Sequence, residues 1–194
     1  MLGAIKYGLR NLFNVTGRDA RQTFWYFVLA VYLVFTALSM MLMVPVMIQM
    51  FSGAIDAAQT GASEAQTQAI IRNQMGGMMQ SIGWMGVASG VGMVLLLGAS
   101  FVRRLHDSDL SGWWTLIPAA VYAFALSQMP AQIQAMSATL ADPAAYSPQN
   151  PFATMQAQGY MAMLGWIPMV IVILLGVRKS TDGPNRFGTD PVRF

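Results

Sequence analysis

The chain has 194 residues, 55% of them hydrophobic and 10% charged, with a mean hydropathy of +0.48. Soluble domains carry about a quarter charged residues, so this composition excludes a soluble globular fold and leaves an integral membrane protein. The net charge of +3 sits almost entirely beside apolar runs, which points to membrane topology and away from nucleic acid, and the absence of cysteine excludes disulfides and thiolate metal sites.

Residues 1–16 place Leu2, Ile5, Leu9, Leu12 and Phe13 at helical spacing, with Lys6 and Arg10 set off from that stripe. This predicts a short N-terminal helix lying in the membrane interface. Gly17 breaks it, and Arg18, Asp19, Arg21 and Gln22 lead into Phe24-Trp25-Tyr26-Phe27, an aromatic cluster of the kind that marks the start of a span. The first span, about 24–51, contains no charged side chain. It is too long for a cleaved signal peptide and is expected to be retained. It also exceeds the roughly 30 Å hydrocarbon core, so it must tilt, kink near Pro45 or project.

Residues 52–80 read as a polar outer insertion, in which Ser63 and Gln66 form a capping box for a short surface helix that Gly76-Gly77 would end. The second span, about 82–102, is rich in small residues, and Gly86 with Gly90 makes a small-xxx-small pair for helix packing. The third, about 112–129, carries Pro118 in its first two turns, where a missing amide costs least, and Met129-Pro130 should close it. A second outer insertion, 131–158, precedes the fourth span, about 159–177, which Gly165 and Pro168 should bend and Arg178-Lys179 should stop. The tail from Ser180 to Phe194 is a run of turn formers that orders only if it packs against something. The expected fold is all-α: a single membrane domain, 1–194, built as a bundle of four transmembrane helices.

With four spans, Lys6, Arg10, Arg18, Arg21, Arg103, Arg104, Arg178, Lys179, Arg186 and Arg193 fall on one side, ten of the eleven Lys and Arg residues. Only Arg72 lies opposite. The positive-inside rule then predicts that both termini are cytoplasmic.

Between the second and third spans lies the densest chemistry, Arg103-Arg104-Leu105-His106-Asp107-Ser108-Asp109-Leu110-Ser111-Gly112-Trp113-Trp114, with the only histidine. Two arginines at a span's end are ordinarily snorkelling anchors. Aspartates beside anionic head groups gain nothing, so Asp107 and Asp109 call for another reason. Ser111 or Asp109 is a candidate cap for the third span, and Trp25, Trp113 and Trp114 read as interfacial aromatics.

The Arg103–Asp107 run with Ser111-Gly112-Trp113-Trp114, the earlier Gly17-Arg18, Arg21 and Trp25, and the tail Asn185-Arg186-Phe187-Gly188 with Asp190-Pro191 together resemble the bacterial inner-membrane family called domain of unknown function 805, of the YhaH type. The resemblance implies a small protein of the bacterial inner membrane whose biochemical role is unassigned, and it supplies no catalytic residues. The two long outer insertions depart from the family's shorter members.

All three motifs fall in segments expected on the cytoplasmic face. Arg18, Arg21, Arg103, Arg104, His106, Asp107, Asp109, Asn185, Arg186 and Asp190 are therefore expected to meet as one cluster. Asp107, Asp109, Asp182 and Asp190 would pair with Arg103, Arg104, Arg18 and Arg186. Such a cluster is either a structural clasp or a pocket for an anionic solute or a phospholipid head group. A His106–Asp107 base pair is the catalytic alternative, but one histidine and no acid inside any span leave no metal cluster or proton relay, so an enzyme is not expected. Met40, Met41, Met43, Met47, Met50, Met75, Met78 and Met79 could offer thioethers to Cu(I), though methionine is equally a packing residue; no cofactor or metal is expected. The sequence points to an interaction or accessory subunit of a membrane complex. Its partners would be membrane lipids and a protein partner or second copy, with no nucleic acid. Binding or transport of an anionic lipid or small anionic solute is the alternative.

Overall fold

A computed structural model describes residues 1–59, 61, 63–141, 165–191 and 194. Among them the chain is all-helical, without strands: α1 (Leu2–Arg10), α2 (Arg21–Gln59), α3 (Glu64–Asp107), a 3₁₀ turn (Gly112–Thr115), α4 (Leu116–Ala141) and α5 (Gly165–Gly176). The only extended pairing described is one isolated bridge between Asn185 and Gly188. Three helical stretches, Arg21–Gly53, Gly76–Asp107 and Gly112–Ala135, are long and apolar enough to cross a membrane. The described part of the expected fourth span, Gly165–Gly176, is apolar but shorter. Residues 142–164, which include most of the second outer insertion and the start of that span, lie outside the described residues.

The helices run further than their apolar cores. The expected outer insertion 52–80 is not a separate surface helix: α2 continues to Gln59, Gly61 turns at φ 64°, and α3 begins at Glu64 and passes through Gly76-Gly77. A helix interior tolerates glycine at about 1 kcal/mol each, and the residues on either side carry the helix across that cost. The capping box does form. Ser63 N donates to Gln66 Oε1 at 3.0 Å and Gln66 N to Ser63 Oγ at 3.3 Å. Pro130 does not close the third span either, since α4 contains it and reaches Ala141. Pro45 likewise lies inside α2.

α3 ends in a Schellman arrangement: Leu110 N donates to Leu105 O at 2.9 Å and Asp109 N to His106 O at 3.1 Å. This turn requires a left-handed residue, and Asp109 supplies it at φ 56° in place of the usual glycine. Ser111 then caps the 3₁₀ turn, its hydroxyl accepting from Trp113 N at 3.5 Å.

The chain forms two compact units, Met1–Phe35 with Ser89–Ala125 and Met161–Phe194, and Thr36–Ala88 with Leu126–Tyr160. In the second, Gly83 lies where any Cβ would meet the Ile133 side chain, and Gly53 faces Gln74 in the same way. The first has a small apolar centre of Phe24, Phe101 and Leu105, flanked by Trp25, Val28, Leu110, Val172 and Leu175. Its largest fully buried side chains are Arg103 and Arg104. Apolar side chains on the spans face outward instead, among them Val34, Met40, Met41 and Leu95, which is the surface a hydrocarbon solvent requires.

Candidate functional site

The buried charge gathers where three segments converge: the approach to α2, the last two turns of α3, and the tail after α5. Ser100, Arg103, Arg104 and Asp107 lie on α3, and successive residues of a helix point about 100° apart. Arg103 and Arg104 therefore reach to different sides of one helix end.

Arg103 grips the N-terminal segment. Its Nε donates to Asp19 Oδ1 at 2.8 Å and its Nη2 to Asp19 Oδ2 at 3.1 Å, a two-point pair with neither side chain more than 1% exposed. Its Nη1 donates to the carbonyls of Asn11, at 2.7 Å, and Asn14. Ser100 Oγ donates to Asp19 Oδ2 at 2.7 Å, and Asp19 N to Arg103 O at 3.1 Å. The guanidinium lies 5.7 Å from the Tyr7 ring. Burial, with the charge of Asp19 adding to it, pushes the Tyr7 hydroxyl above its usual range.

Arg104 and Arg18 grip the tail. Arg104 Nε donates to Gly176 O at 2.9 Å, its Nη2 to Arg178 O, and its Nη1 to Asp107 Oδ2 and, at 3.4 Å, to Ser180 Oγ. Arg18 Nη2 and Nε donate to Asp107 Oδ1 at 3.1 and 3.3 Å. Its remaining donors go to Thr181 O (2.9 Å), Thr181 Oγ1 (3.1 Å), Gly183 O (2.7 Å) and Gly188 O (3.4 Å). Asp107 is thus shared by two arginines, and Ser180 Oγ donates to it as well. Its own carbonyl accepts from Thr181 N at 2.9 Å and Thr181 Oγ1 at 3.1 Å. Three buried guanidinium groups meet two buried carboxylates, and backbone carbonyls supply the remaining negative potential. Those at the end of α5 are well suited, because the last carbonyls of a helix lack intrahelical donors and carry the negative end of its dipole.

The rim is more exposed. His106 Nδ1 lies 3.2 Å from Gly17 O, its ring stacks on Phe187 at 3.9 Å and 4°, and its carbonyl accepts from Asn185 Nδ2 at 2.8 Å. A half-exposed pair joins Arg186 to Asp109 at 3.1 Å, and Arg186 also lies 4.7 Å over Phe187. Asp190, 68% exposed, stands 3.7 Å from Arg18.

Most of the residues singled out in the sequence meet here, with three departures in detail. Arg21 is exposed and, among the described residues, reaches only Val177 O, at 3.4 Å. Asp182 pairs with Lys179 on the surface at 3.0 Å. The partner of Arg103 is Asp19, which the sequence reading left out, along with Ser100, Ser180 and Thr181. The available signal was Asp19 standing as the only acid among the cations before α2. Of the aromatics, Trp25 packs edge-on to Phe24 at 5.2 Å, whereas Trp113 and Trp114 are exposed. Gly90 lies where a Cβ would strike Tyr122, but Gly86 has open space around it among the described residues. The side chains of Met50 and Met75 lie outside the described residues; Met40 and Met41 face outward.

The sequence profile described as "Protein of unknown function (DUF805)" matches residues 12–189. The chain belongs to the DUF805 family. Neither the curated proteins nor the solved structures give a match. The DUF805 match spans all three segments of the buried cluster, from Arg18 and Asp19 through Arg103–Asp107 to Gly188, and excludes α1.

Proposed function

We propose that this DUF805 protein is a four-span protein of the bacterial inner membrane, a single membrane domain with both termini cytoplasmic, and that it serves as an interaction or accessory subunit of a membrane complex. Its charged end acts as a structural clasp and not as an enzyme's active site or an anion pocket. The observation that carries this reading is that every guanidinium nitrogen is already engaged. Each of the three nitrogens of Arg18, Arg103 and Arg104 donates to an acceptor of the same chain. An anion entering from outside would have to displace carboxylates and carbonyls already held. The arginines, which do not deprotonate in proteins, offer no general base.

The positive-inside distribution supports the topology. A reporter fused after Phe194 should score cytoplasmic, and an extracytoplasmic score would overturn the four-span arrangement. For the accessory role, full-length protein purified in mild detergent should carry a defined partner at constant ratio; repeated purifications yielding the chain alone would sink that role.

A further inference from the structure

α1 is held on one face and bare on the other. Ala4 and Gly8 are buried, Gly8 where any Cβ would meet the Phe27 ring. Tyr7 lies between Arg103 and the Phe194 ring, the latter at 5.8 Å, and Gly3 also faces Phe194. The two carbonyls that Arg103 holds, those of Asn11 and Asn14, lie just beyond the helix end. The opposite face carries Leu2 at 82% and Leu9 at 54% exposure, seven residues apart on one line, with Phe13 at 87% just after the helix. Beside that line stand Lys6 and Arg10, four apart and exposed, neither with an ion-pair partner among the described residues. Residues 1–17 contain no acid.

We infer that α1 is a lipid-binding element that seats Leu2, Leu9 and Phe13 in the head-group boundary of the bilayer and holds anionic phospholipid through Lys6 and Arg10. An apolar line flanked by cations with no counter-charge fits a negatively charged lipid surface, which supplies hydrocarbon to one stripe and phosphate to the other. The inference rests on the membrane placement of the helices alone, and it would survive failure of the accessory role. It also separates two kinds of cation: those in the clasp are spent within the chain, and those on α1 are available.

The chain has no cysteine, so single cysteines at Leu9 or Phe13 can carry a nitroxide. The labelled full-length protein is reconstituted into nanodiscs of phosphatidylcholine with phosphatidylglycerol. Both positions should be more accessible to oxygen than to a water-soluble nickel chelate. In parallel, native mass spectrometry counts the phosphatidylglycerol retained by unlabelled protein. Lys6→Gln with Arg10→Gln should lower that enrichment by roughly five-fold per cation removed. Chelate-accessible labels, or an unchanged lipid count in the double variant, would overturn the proposal. So would protection of the labels that appears only when a second protein is added.

Discussion

At the scale of single residues, burial decides which charges matter. Asp107 and Asp109 lie two positions apart, yet one is fully buried between two arginines and the other joins a half-exposed pair. Removing one partner of a buried pair costs about 3–5 kcal/mol, since the other charge stays behind unpaired; an exposed pair is worth ~0–1 kcal/mol. Asp107→Asn and Asp19→Asn should therefore each lower the thermal midpoint in detergent by many degrees, while Asp109→Asn leaves it nearly unchanged. Asp109 has a second role through its left-handed backbone. Asp109→Gly should be tolerated, and Asp109→Val should destabilise by roughly 1–3 kcal/mol, a contrast that thermal melts of the two variants would read. Tyr7 gives a pH signature. Its raised folded pKa means the folded chain keeps the proton longer than the unfolded one. That contribution is intact below the unfolded value near 10 and is lost as pH rises through the higher folded value. Unfolding followed against pH should show Tyr7→Phe losing less stability than the parent above about pH 10.

At the scale of elements, the ends of α3 are specified by different chemistry. Its start is a hydroxyl and amide box between Ser63 and Gln66, and Ser63→Ala should cost about 1 kcal/mol. Its end is a turn closed by backbone bonds, with Leu110 folded back onto the Phe24, Phe101 and Leu105 centre. Within the helix the two small residues are not equivalent. Gly90→Ala should destabilise because the methyl group would meet Tyr122, whereas Gly86→Ala should not, and side-by-side melts of the two variants test the difference.

At the scale of the molecule, the apolar runs were readable because membrane spans advertise themselves by length and composition. Capping at Ser63 was readable for the same kind of reason, being local. Helix ends placed at Gly76-Gly77 and Pro130 were not, because breaker residues are outweighed when the helix on both sides is favourable. For the cluster, the sequence named Arg18, Arg103, Arg104 and Asp107 from their crowding but missed the Asp19–Arg103 pair. Partner choice there depends on the angle between consecutive helix residues and on where Asn11 and Asn14 bring their carbonyls, neither of which is written in spacing alone. The division of labour among the arginines also bears on biogenesis. Arg103 finds its acceptors in residues made before it, so that half can close while the chain is still being synthesised. Beyond Asp107, Arg104 and Arg18 draw on Gly176, Arg178, Thr181 and Gly183, which are made long after them. Until residues 176–188 are made, Arg18 and Arg104 share Asp107 alone, a mark by which a membrane protease could tell chains without that segment from chains with it; pulse-chase of a chain cut after Lys179 should show much faster turnover than the parent.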